Sequence, residues 1–232
     1  MITLWELEGR EGRRYSLFSW RARMALAHKG LAFETQPVCL VDKEAIAFSG
    51  GKTVPVIRDG ETVVRDSWKI AEYLEERYAQ APSLFGGPVG RGVTQSFVTW
   101  IDRAILPAML ATIAADAHDR VDPRDADYFR QTLIEGALKT TLDAARTSSE
   151  AALGKLQRAV EPLQAALKRQ PFVSGAQPAY ADYALFSIFQ WARVMSPRPV
   201  LDAQSPLGAW RERVLDLHGG SARKVPTASL NP

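Results

Sequence analysis

The sequence is poor in the residues that build disulfide frameworks and metal centres. It contains one cysteine, Cys39, and three histidines among 232 residues. A single cysteine excludes an intramolecular disulfide and any multi-cysteine metal site, and it suits a reducing compartment. His28, His118 and His218 do not have the spacing typical of metal ligands. We therefore predict a protein without a bound metal, in which Cys39 is a small buried hydrophobic residue.

The sequence also lacks a membrane-spanning run, a signal peptide and a strong net charge. No segment approaches the ~18 uninterrupted apolar residues of a spanning helix, and the N-terminus has no basic region followed by an apolar run. The 29 basic and 26 acidic residues leave a formal net charge of +3, which is too small to indicate a nucleic-acid-binding face. We expect a cytoplasmic protein with no nucleic-acid or membrane partner.

Residues 1–80 show an α/β pattern. Alternating apolar residues predict strands, and polar residues such as Ser16 stand where helices would begin. Asp59-Gly60 between two β-branched runs is typical of a hairpin turn. The predicted order is β-α-β-α-β-β-α, with strands over 2–7, 31–38, 54–57 and 62–64 and helices over 16–29 and from 66 or 67 onward. Residues 41–51, the second α of this order, are predicted to be a short helix or a loop. Such an order allows one small mixed sheet with a parallel crossover and a terminal hairpin.

The remainder of the chain is predicted to be helical. Residues 81–92 are rich in proline and glycine, which predicts a linker. Apolar residues spaced by three and four predict helices throughout 93–218, and residues 219–232 are expected to form a loose tail. The predicted architecture is therefore a small α/β domain over 1–80 followed by an all-helical domain.

Ser16 is the first of three weak signals for a binding site. It lies at the start of the first predicted helix, where unpaired N–H groups and the helix dipole favour an anion such as a thiolate. A free thiol has a pKa of about 8.5, so a hydroxyl donor at such a helix end would favour the ionised, nucleophilic form. Taken alone, Ser16 is better explained as an ordinary N-cap residue.

The other two signals are Val54-Pro55 and Asp66-Ser67. Pro55 opens a predicted strand although proline cannot donate to a sheet ladder. If the Val54-Pro55 peptide bond is cis, the backbone of Val54 points outward and can pair with a peptide-like ligand as an added strand would. The alternative is an ordinary edge-strand proline in trans. Asp66 and Ser67 begin the next helix, where they offer groups to an ammonium and a carboxylate, or serve as plain caps.

Together the three segments resemble the glutathione transferase family. They are Ser16–Arg21 (SLFSWR), Thr53–Ile57 (TVPVI) and Asp66–Leu74 (DSWKIAEYL), and the resemblance runs over the whole chain. It implies an α/β thioredoxin-like N-terminal domain followed by an all-α C-terminal domain. It also implies that glutathione is the co-substrate and that the protein is a homodimer.

The resemblance assigns roles to residues of this sequence. It implies that Ser16 stabilises the glutathione thiolate and that Val54 pairs with the cysteinyl backbone beside a cis Pro55. It further implies that Asp66 and Ser67 hold the γ-glutamyl end of the tripeptide.

Several positions depart from the family pattern. Leu17 stands where many relatives have proline, so Ser19 is a rival for the thiol contact. Lys52 is separated from Val-Pro by one residue, and the contact with the glycine carboxylate is assigned to it on that weaker basis. Ala179 replaces the usual Ser/Thr cap, and Asp182 is expected to be a buried structural cap.

The substrate class follows from the resemblance. The pattern around Trp20-Arg21 and Asp66-Ser67 is similar to bacterial β-etherases of lignin breakdown and to fungal relatives. We expect the thiolate to attack an electrophilic, aromatic compound in a hydrophobic pocket that includes Leu17. Trp100 and Met109 of the long helix are further candidates for this pocket, although helix-spaced residues of this kind pack in the core by default. Cleavage of β-aryl ethers is one alternative, and a non-catalytic binding protein of the same fold is another. A thiol–disulfide oxidoreductase is disfavoured because position 16 is not cysteine.

Overall fold

The computed structural model describes residues 1–228, and residues 229–232 of the predicted tail lie outside the described part. The N-terminal part contains four strands and two α-helices in the predicted order. These elements are β1 (Ile2–Leu7), α1 (Leu17–His28), β2 (Phe33–Val38), β3 (Val56–Asp59), β4 (Thr62–Arg65) and α2 (Ser67–Arg77). The predicted short element at 41–51 is a 3-10 helix over Glu44–Ser49.

The four strands form one mixed sheet in the order β2-β1-β3-β4. β1 and β2 are parallel because α1 crosses over between them, whereas β3 is antiparallel to both β1 and β4. The hairpin turn is Gly60-Glu61, in which Gly60 has a φ of +59° that glycine adopts at little cost. Leu4 and Ile57 are fully buried in the sheet. The predicted α/β domain is confirmed.

The C-terminal part is helical, which confirms the predicted fold class. Its α-helices are α3 (Pro88–His118), α4 (Ala126–Phe129), α5 (Leu142–Leu167), α6 (Tyr180–Met195) and α7 (Pro206–Gly220). A π-helical segment, Arg130–Ala137, directly continues α4. α6 is buried over nearly its whole length and packs against α1 and α3, so it forms the centre of the helical core.

Helix α3 begins earlier than predicted, at Pro88, inside the proposed linker at 81–92. Proline suits the first position of a helix because that N–H needs no partner there. Within residues 1–228, α3 is the one helix long and apolar enough to cross a membrane by length and composition. Asp102 and Arg103 interrupt the apolar residues of α3, so a search for uninterrupted apolar runs does not find this helix. Ile105 and Met109 are fully buried in the protein core.

Arg21 of α1 joins the two domains through a partly buried ion pair. Its guanidinium, only 2% exposed, donates to both carboxylate oxygens of Asp102 on α3, one of them at 3.0 Å. It also donates to the Ser187 hydroxyl of α6 at 3.2 Å. Bidentate pairing of this kind fixes orientation as well as distance. The start of the polypeptide is thereby attached to the helical core.

Asp182 is a buried cap, as expected. Its carboxylate is fully buried and accepts backbone N–H groups from Val173, Ser174 and Ala179 at 2.7, 3.1 and 3.2 Å. The indole Nε1 of Trp210 donates to it at 2.8 Å. Four donors around one carboxylate connect the loop before α6 to α7, so Asp182 organises the helical domain.

The described part of the tail is packed rather than loose. Ala222 and Ala228 are buried, and the N–H of Ala228 donates to the carbonyl of Arg193 on α6 at 3.2 Å. The Arg13 guanidinium donates to the carbonyl of Thr227. The sequence of this segment does not predict these contacts, because backbone groups make most of them.

Candidate functional site

A cavity of about 730 Å³ opens between the two domains. Seven of the predicted site residues line it: Ser16, Leu17, Lys52, Val54, Pro55, Asp66 and Ser67. The first domain supplies most of the polar groups and several apolar residues, whereas the residues from the helical domain are mainly apolar. A polar ligand and an apolar ligand can therefore meet in one space.

Ser16 is the N-cap of α1 and also faces the cavity. Its Oγ accepts the N–H of Ser19 at 3.2 Å, which is the usual bond of a serine cap. The Ser16 hydroxyl hydrogen has no acceptor within residues 1–228 and remains available to a ligand. Capping and ligand binding are thus compatible at this residue, because the oxygen accepts one bond and can donate another.

The Val54-Pro55 peptide bond is cis, as the resemblance implied. The carbonyl of Pro55 accepts the N–H of Asp66 at 3.3 Å, which holds the start of β3 beside the start of α2. The backbone N–H and C=O of Val54 make no hydrogen bond within residues 1–228. They are available for pairing with an extended ligand.

Asp66 and Ser67 lie at the N-terminus of α2. Asp66 has a φ of +76°, a conformation that residues other than glycine rarely adopt and that is found often at functional sites. Its Oδ1 accepts the N–H groups of Trp68 and Lys69, both at 3.0 Å. Ser67 is buried, and its carbonyl accepts the Tyr180 hydroxyl of α6 at 2.9 Å.

One apolar wall of the cavity, called the apolar wall below, comes from the helical domain. It is formed by Leu106 and Leu110 of α3, Phe129 and Leu133 of the α4–π segment and Trp191 of α6. Leu17 contributes from the first turn of α1. The apolar wall therefore adjoins the helix end that carries Ser16.

Two family profiles match the chain in the order of its domains. The profile described as "Glutathione S-transferase, N-terminal domain" matches residues 15–77, and "Glutathione S-transferase, C-terminal domain" matches residues 92–225. The chain belongs to the glutathione S-transferase family. The predicted family is therefore confirmed.

Individual glutathione S-transferases are similar to parts or to all of the chain. Glutathione S-transferase Z1 of Arabidopsis thaliana is 41% identical over 69 residues, which cover 28% of this chain and 31% of that protein. The solved glutathione transferase GSTFuA3 of Phanerochaete chrysosporium is 27% identical, with a TM-score of 0.75 and coverage of 94% and 92%. A Ceriporiopsis subvermispora glutathione S-transferase, solved in complex with glutathione, is 21% identical, with a TM-score of 0.80 and coverage of 97% and 98%.

The matches to the curated glutathione S-transferases are partial. The matched segments span 31% and 52% of the length of the first two relatives. The solved structures, by contrast, match nearly the full chain. These glutathione S-transferases therefore support the family and the fold, and the reaction of this chain is a separate question.

Three predicted residues of this glutathione S-transferase do not line the cavity. Ser19 is 1% exposed, and its hydroxyl has no partner within residues 1–228. Met109 is fully buried in the core, whereas Trp100 is 37% exposed and packs on Phe97 with the ring centroids 5.7 Å apart. The assignment of Trp100 and Met109 to the pocket was wrong, whereas the core position that helix-spaced apolar residues take by default is correct for Met109.

Sequence reasoning also missed cavity residues. Cys39 follows β2, is only half-buried and lines the cavity, so the prediction of a buried hydrophobic residue was wrong. Arg124 donates to its Sγ at 3.0 Å, but burial and the Asp125 carboxylate raise the pKa of the thiol. Tyr15 also lines the cavity, and burial, with Asp125 nearby, raises the pKa of its phenol. Neither group is therefore prepared to act as an anion.

A second cavity of about 740 Å³ lies beside the segment before α3. His28, Tyr183 and His218 line it in a hydrogen-bonded chain, with Nδ1 of His28 2.7 Å and Nε2 of His218 3.3 Å from the Tyr183 oxygen. His28 Nε2 lies 3.0 Å from the Ser83 carbonyl, so it carries the hydrogen, and Tyr183 donates to Nδ1. Burial lowers the pKa of both histidines. No group of three or more metal-ligating side chains occurs among the described residues.

Proposed function

We propose that the protein is a glutathione transferase that transfers the glutathione thiolate to an apolar, aromatic electrophile. The observation that carries this proposal is the shared cavity, in which Ser16, Val54 and Ser67 lie beside the apolar wall. The relative from Ceriporiopsis subvermispora was solved with glutathione, which supports the same co-substrate here.

The proposed reaction needs an ionised sulfur at the start of α1. The Ser16 hydroxyl donates to the sulfur, and the dipole of α1 favours its negative charge. The backbone of Val54 pairs with the cysteinyl unit, while Asp66 and Ser67 hold the γ-glutamyl end. The thiolate then forms a bond to the electrophilic carbon, and the leaving group departs with the bonding electrons. The contact of Lys52 with the glycine carboxylate remains part of this proposal.

Glutathione titration with a turnover assay tests the proposal. Wild-type protein should bind glutathione by calorimetry and should accelerate conjugation of 1-chloro-2,4-dinitrobenzene. Ser67→Ala should weaken glutathione affinity by about tenfold, because a hydrogen bond to a charged carboxylate is lost. Ser221→Ala, outside the cavity, is the matched control and should bind normally. Absence of glutathione affinity in the wild type would refute the proposal.

Cleavage of β-aryl ethers is the second candidate reaction. It uses the same thiolate attack, with an aryloxide as the leaving group in place of a halide. Phe129 and Trp191, two of the aromatic residues that line the cavity, suit an aryl leaving group. Release of a fluorogenic phenol from an aryl ether would support this reaction. Glutathione binding without turnover of either substrate class would instead indicate a carrier.

We also propose that the protein is a cytoplasmic homodimer, as the family resemblance implies. Sedimentation analysis at micromolar concentration should give twice the chain mass of 25.6 kDa. A monomer under these conditions would contradict the homodimer without affecting the proposed reaction, because the residues assigned to the thiolate site all belong to one chain.

A further inference from the structure

The second cavity, beside the segment before α3, has an uncharged lining. Among the described residues that line it there is no Asp, Glu, Lys or Arg, and its polar groups are the His28–Tyr183–His218 chain together with hydroxyl and amide side chains. Burial lowers the pKa of both histidines, so both rings are neutral at about pH 7. The first cavity, by contrast, is lined by charged residues that include Lys52 and Asp66. The second cavity therefore suits a neutral ligand, because its lining offers no charge to offset the desolvation of an ion.

The hydrogen bonds of the His28–Tyr183–His218 chain run in one direction. Nε2 of His28 donates to the Ser83 carbonyl, so Nδ1 of this neutral ring accepts the single hydrogen of the Tyr183 hydroxyl. The Tyr183 oxygen can then only accept from His218, whose Nε2 lies 3.3 Å away. Nε2 of His218 therefore carries the hydrogen of its ring, and Nδ1 is left as an acceptor.

Nδ1 of His218 is an acceptor without a partner. The ring of His218 is half-buried and lines the second cavity, and its Nδ1 accepts no hydrogen bond from residues 1–228. His218 has a φ of +50° and lies where the end of α7 departs from helical geometry. Such a conformation is uncommon for a residue other than glycine and is found often at functional sites. The open acceptor favours a ligand that carries a hydrogen-bond donor.

Two phenylalanines give the second cavity its aromatic surface. Phe85 is 5% exposed and packs on Trp68 with the ring centroids 5.1 Å apart. Phe97 of α3 is half-buried and packs on Trp100. Rings held by aromatic neighbours suit an aromatic ligand, because pairs of aromatic rings attract one another beyond the effect of buried area. The cavity thus combines aromatic surface with one open acceptor.

We propose that the second cavity binds a neutral phenol, whose hydroxyl donates to Nδ1 of His218 while its ring packs on the surface that Phe85 and Phe97 provide. The two cavities have no lining residue in common. His28 ends α1 and Ser16 caps its start, so the two sites lie about 18 Å apart along this helix. The phenol binds without bond making, and its binding does not depend on the proposed transfer of glutathione.

Three naphthalene probes at about pH 7.5 test this proposal. 2-Naphthol is neutral and has a donor hydrogen, 2-methoxynaphthalene is neutral without one, and 2-naphthoate is an anion. Affinities are measured by fluorescence titration in the presence of saturating S-hexylglutathione, which occupies the first cavity. The wild type should favour 2-naphthol over 2-methoxynaphthalene, because only the former donates to His218. It should bind 2-naphthoate more weakly than 2-naphthol, because no cation lines the second cavity.

Three variants assign the probe to the second cavity. His218→Asn should lower the preference for 2-naphthol over 2-methoxynaphthalene by about fivefold, because one hydrogen bond between neutral groups is lost. Asparagine tolerates the left-handed backbone, and affinity for 2-methoxynaphthalene reports whether this variant is folded. Lys139→Asn is the matched control at an exposed left-handed position outside both cavities and should leave the preference unchanged. Val93→Trp places a large ring in the cavity from an exposed position on α3 and should weaken the binding of both neutral probes.

Four results would overturn the proposal. They are an unchanged preference in His218→Asn, an unchanged 2-naphthol affinity in Val93→Trp, tighter binding of 2-naphthoate than of 2-naphthol, and complete displacement of 2-naphthol by S-hexylglutathione. Displacement would mean that the probe occupies the first cavity. Failure of the wild type to bind S-hexylglutathione would count against the proposed function alone, because Val93→Trp still tests whether the probe lies in the second cavity.

Discussion

The substitution Asp182→Asn measures how far the helical domain depends on one buried carboxylate. Oδ1 of Asp182 accepts the N–H of Val173 and the indole N–H of Trp210, and Oδ2 accepts the N–H groups of Ser174 and Ala179. Asparagine has a single oxygen, and its NH2 group faces two of these donors whichever way the amide is turned. Two of the four hydrogen bonds are therefore lost, and the other two lose their charged acceptor.

The expected loss of unfolding free energy is about 4 kcal/mol. A hydrogen bond to a charged group contributes about 1.5–3 kcal/mol, and two such bonds give about 3–6 kcal/mol. The N–H groups of Ser174 and Ala179 are only partly buried, so water replaces part of the hydrogen bonding that they lose. The expected loss therefore lies in the lower half of the range of about 3–6 kcal/mol. For a chain of this size the melting temperature should fall by about 8–16 °C.

Urea and thermal unfolding followed by circular dichroism provide the assay. Asp143→Asn is the matched control, because Asp143 is exposed on the first turn of α5 and its substitution should change stability by at most about 0.5 kcal/mol. A loss below about 1 kcal/mol for Asp182→Asn would show that these four contacts contribute far less than their burial suggests. The reasoning from buried hydrogen bonds would then be refuted.

Three further substitutions and conditions give separate predictions. Ser16→Ala should lower the unfolding free energy by about 1 kcal/mol through the lost N-cap bond. It should also lower kcat/KM for conjugation by about tenfold below about pH 7, and kcat/KM should recover at alkaline pH. Identical pH–rate profiles for the wild type and the variant would contradict the role of Ser16 as a donor to the thiolate. Arg21→Met breaks the ion pair with Asp102 and should lower the unfolding free energy by about 3 kcal/mol, measured with urea; an unchanged midpoint would show that the pair is dispensable. Burial lowers the pKa of His28 and His218 in the folded state, so their stabilising contribution is complete above the unfolded pKa of about 6.5 and declines as pH falls below it. The melting temperature of the wild type should therefore fall between about pH 7 and about pH 5, and it should fall less in His28→Gln. A constant melting temperature, or an equally steep fall in the variant, would contradict this linkage.

Local sequence was sufficient to predict the two helix starts that contribute polar groups to the site. Ser16 and Asp66 are caps with side chains suited to accept backbone N–H groups, and the alternation of apolar residues located β1. The cis bond at Val54-Pro55 was expected only through family resemblance, because an isolated Xaa-Pro bond favours trans. Pairing of Pro55 with Asp66 depends on the sheet, which local signals do not describe.

The apolar wall was harder to predict because its residues meet only in the folded protein. Along α3 successive residues are turned by about 100°, so Met109 enters the core whereas the adjacent Leu110 faces the cavity. Both are apolar, and no hydrophobic pattern distinguishes a core face from a cavity face. The Lys43 ammonium group lies 4.8 Å from the ring centroid of Tyr128. This contact joins distant parts of the chain, so no local pattern in the sequence predicts it.

The position of Arg21 limits how independent the two domains are. The sequence pattern indicates two modules. The Arg21 guanidinium and the Trp20 indole of the first helix, however, are buried because the helical domain covers them. An excised fragment of residues 1–80 would leave both groups uncovered, together with the apolar face around them. The two modules are therefore visible in the sequence pattern, but the folded state of the first depends on the undivided chain.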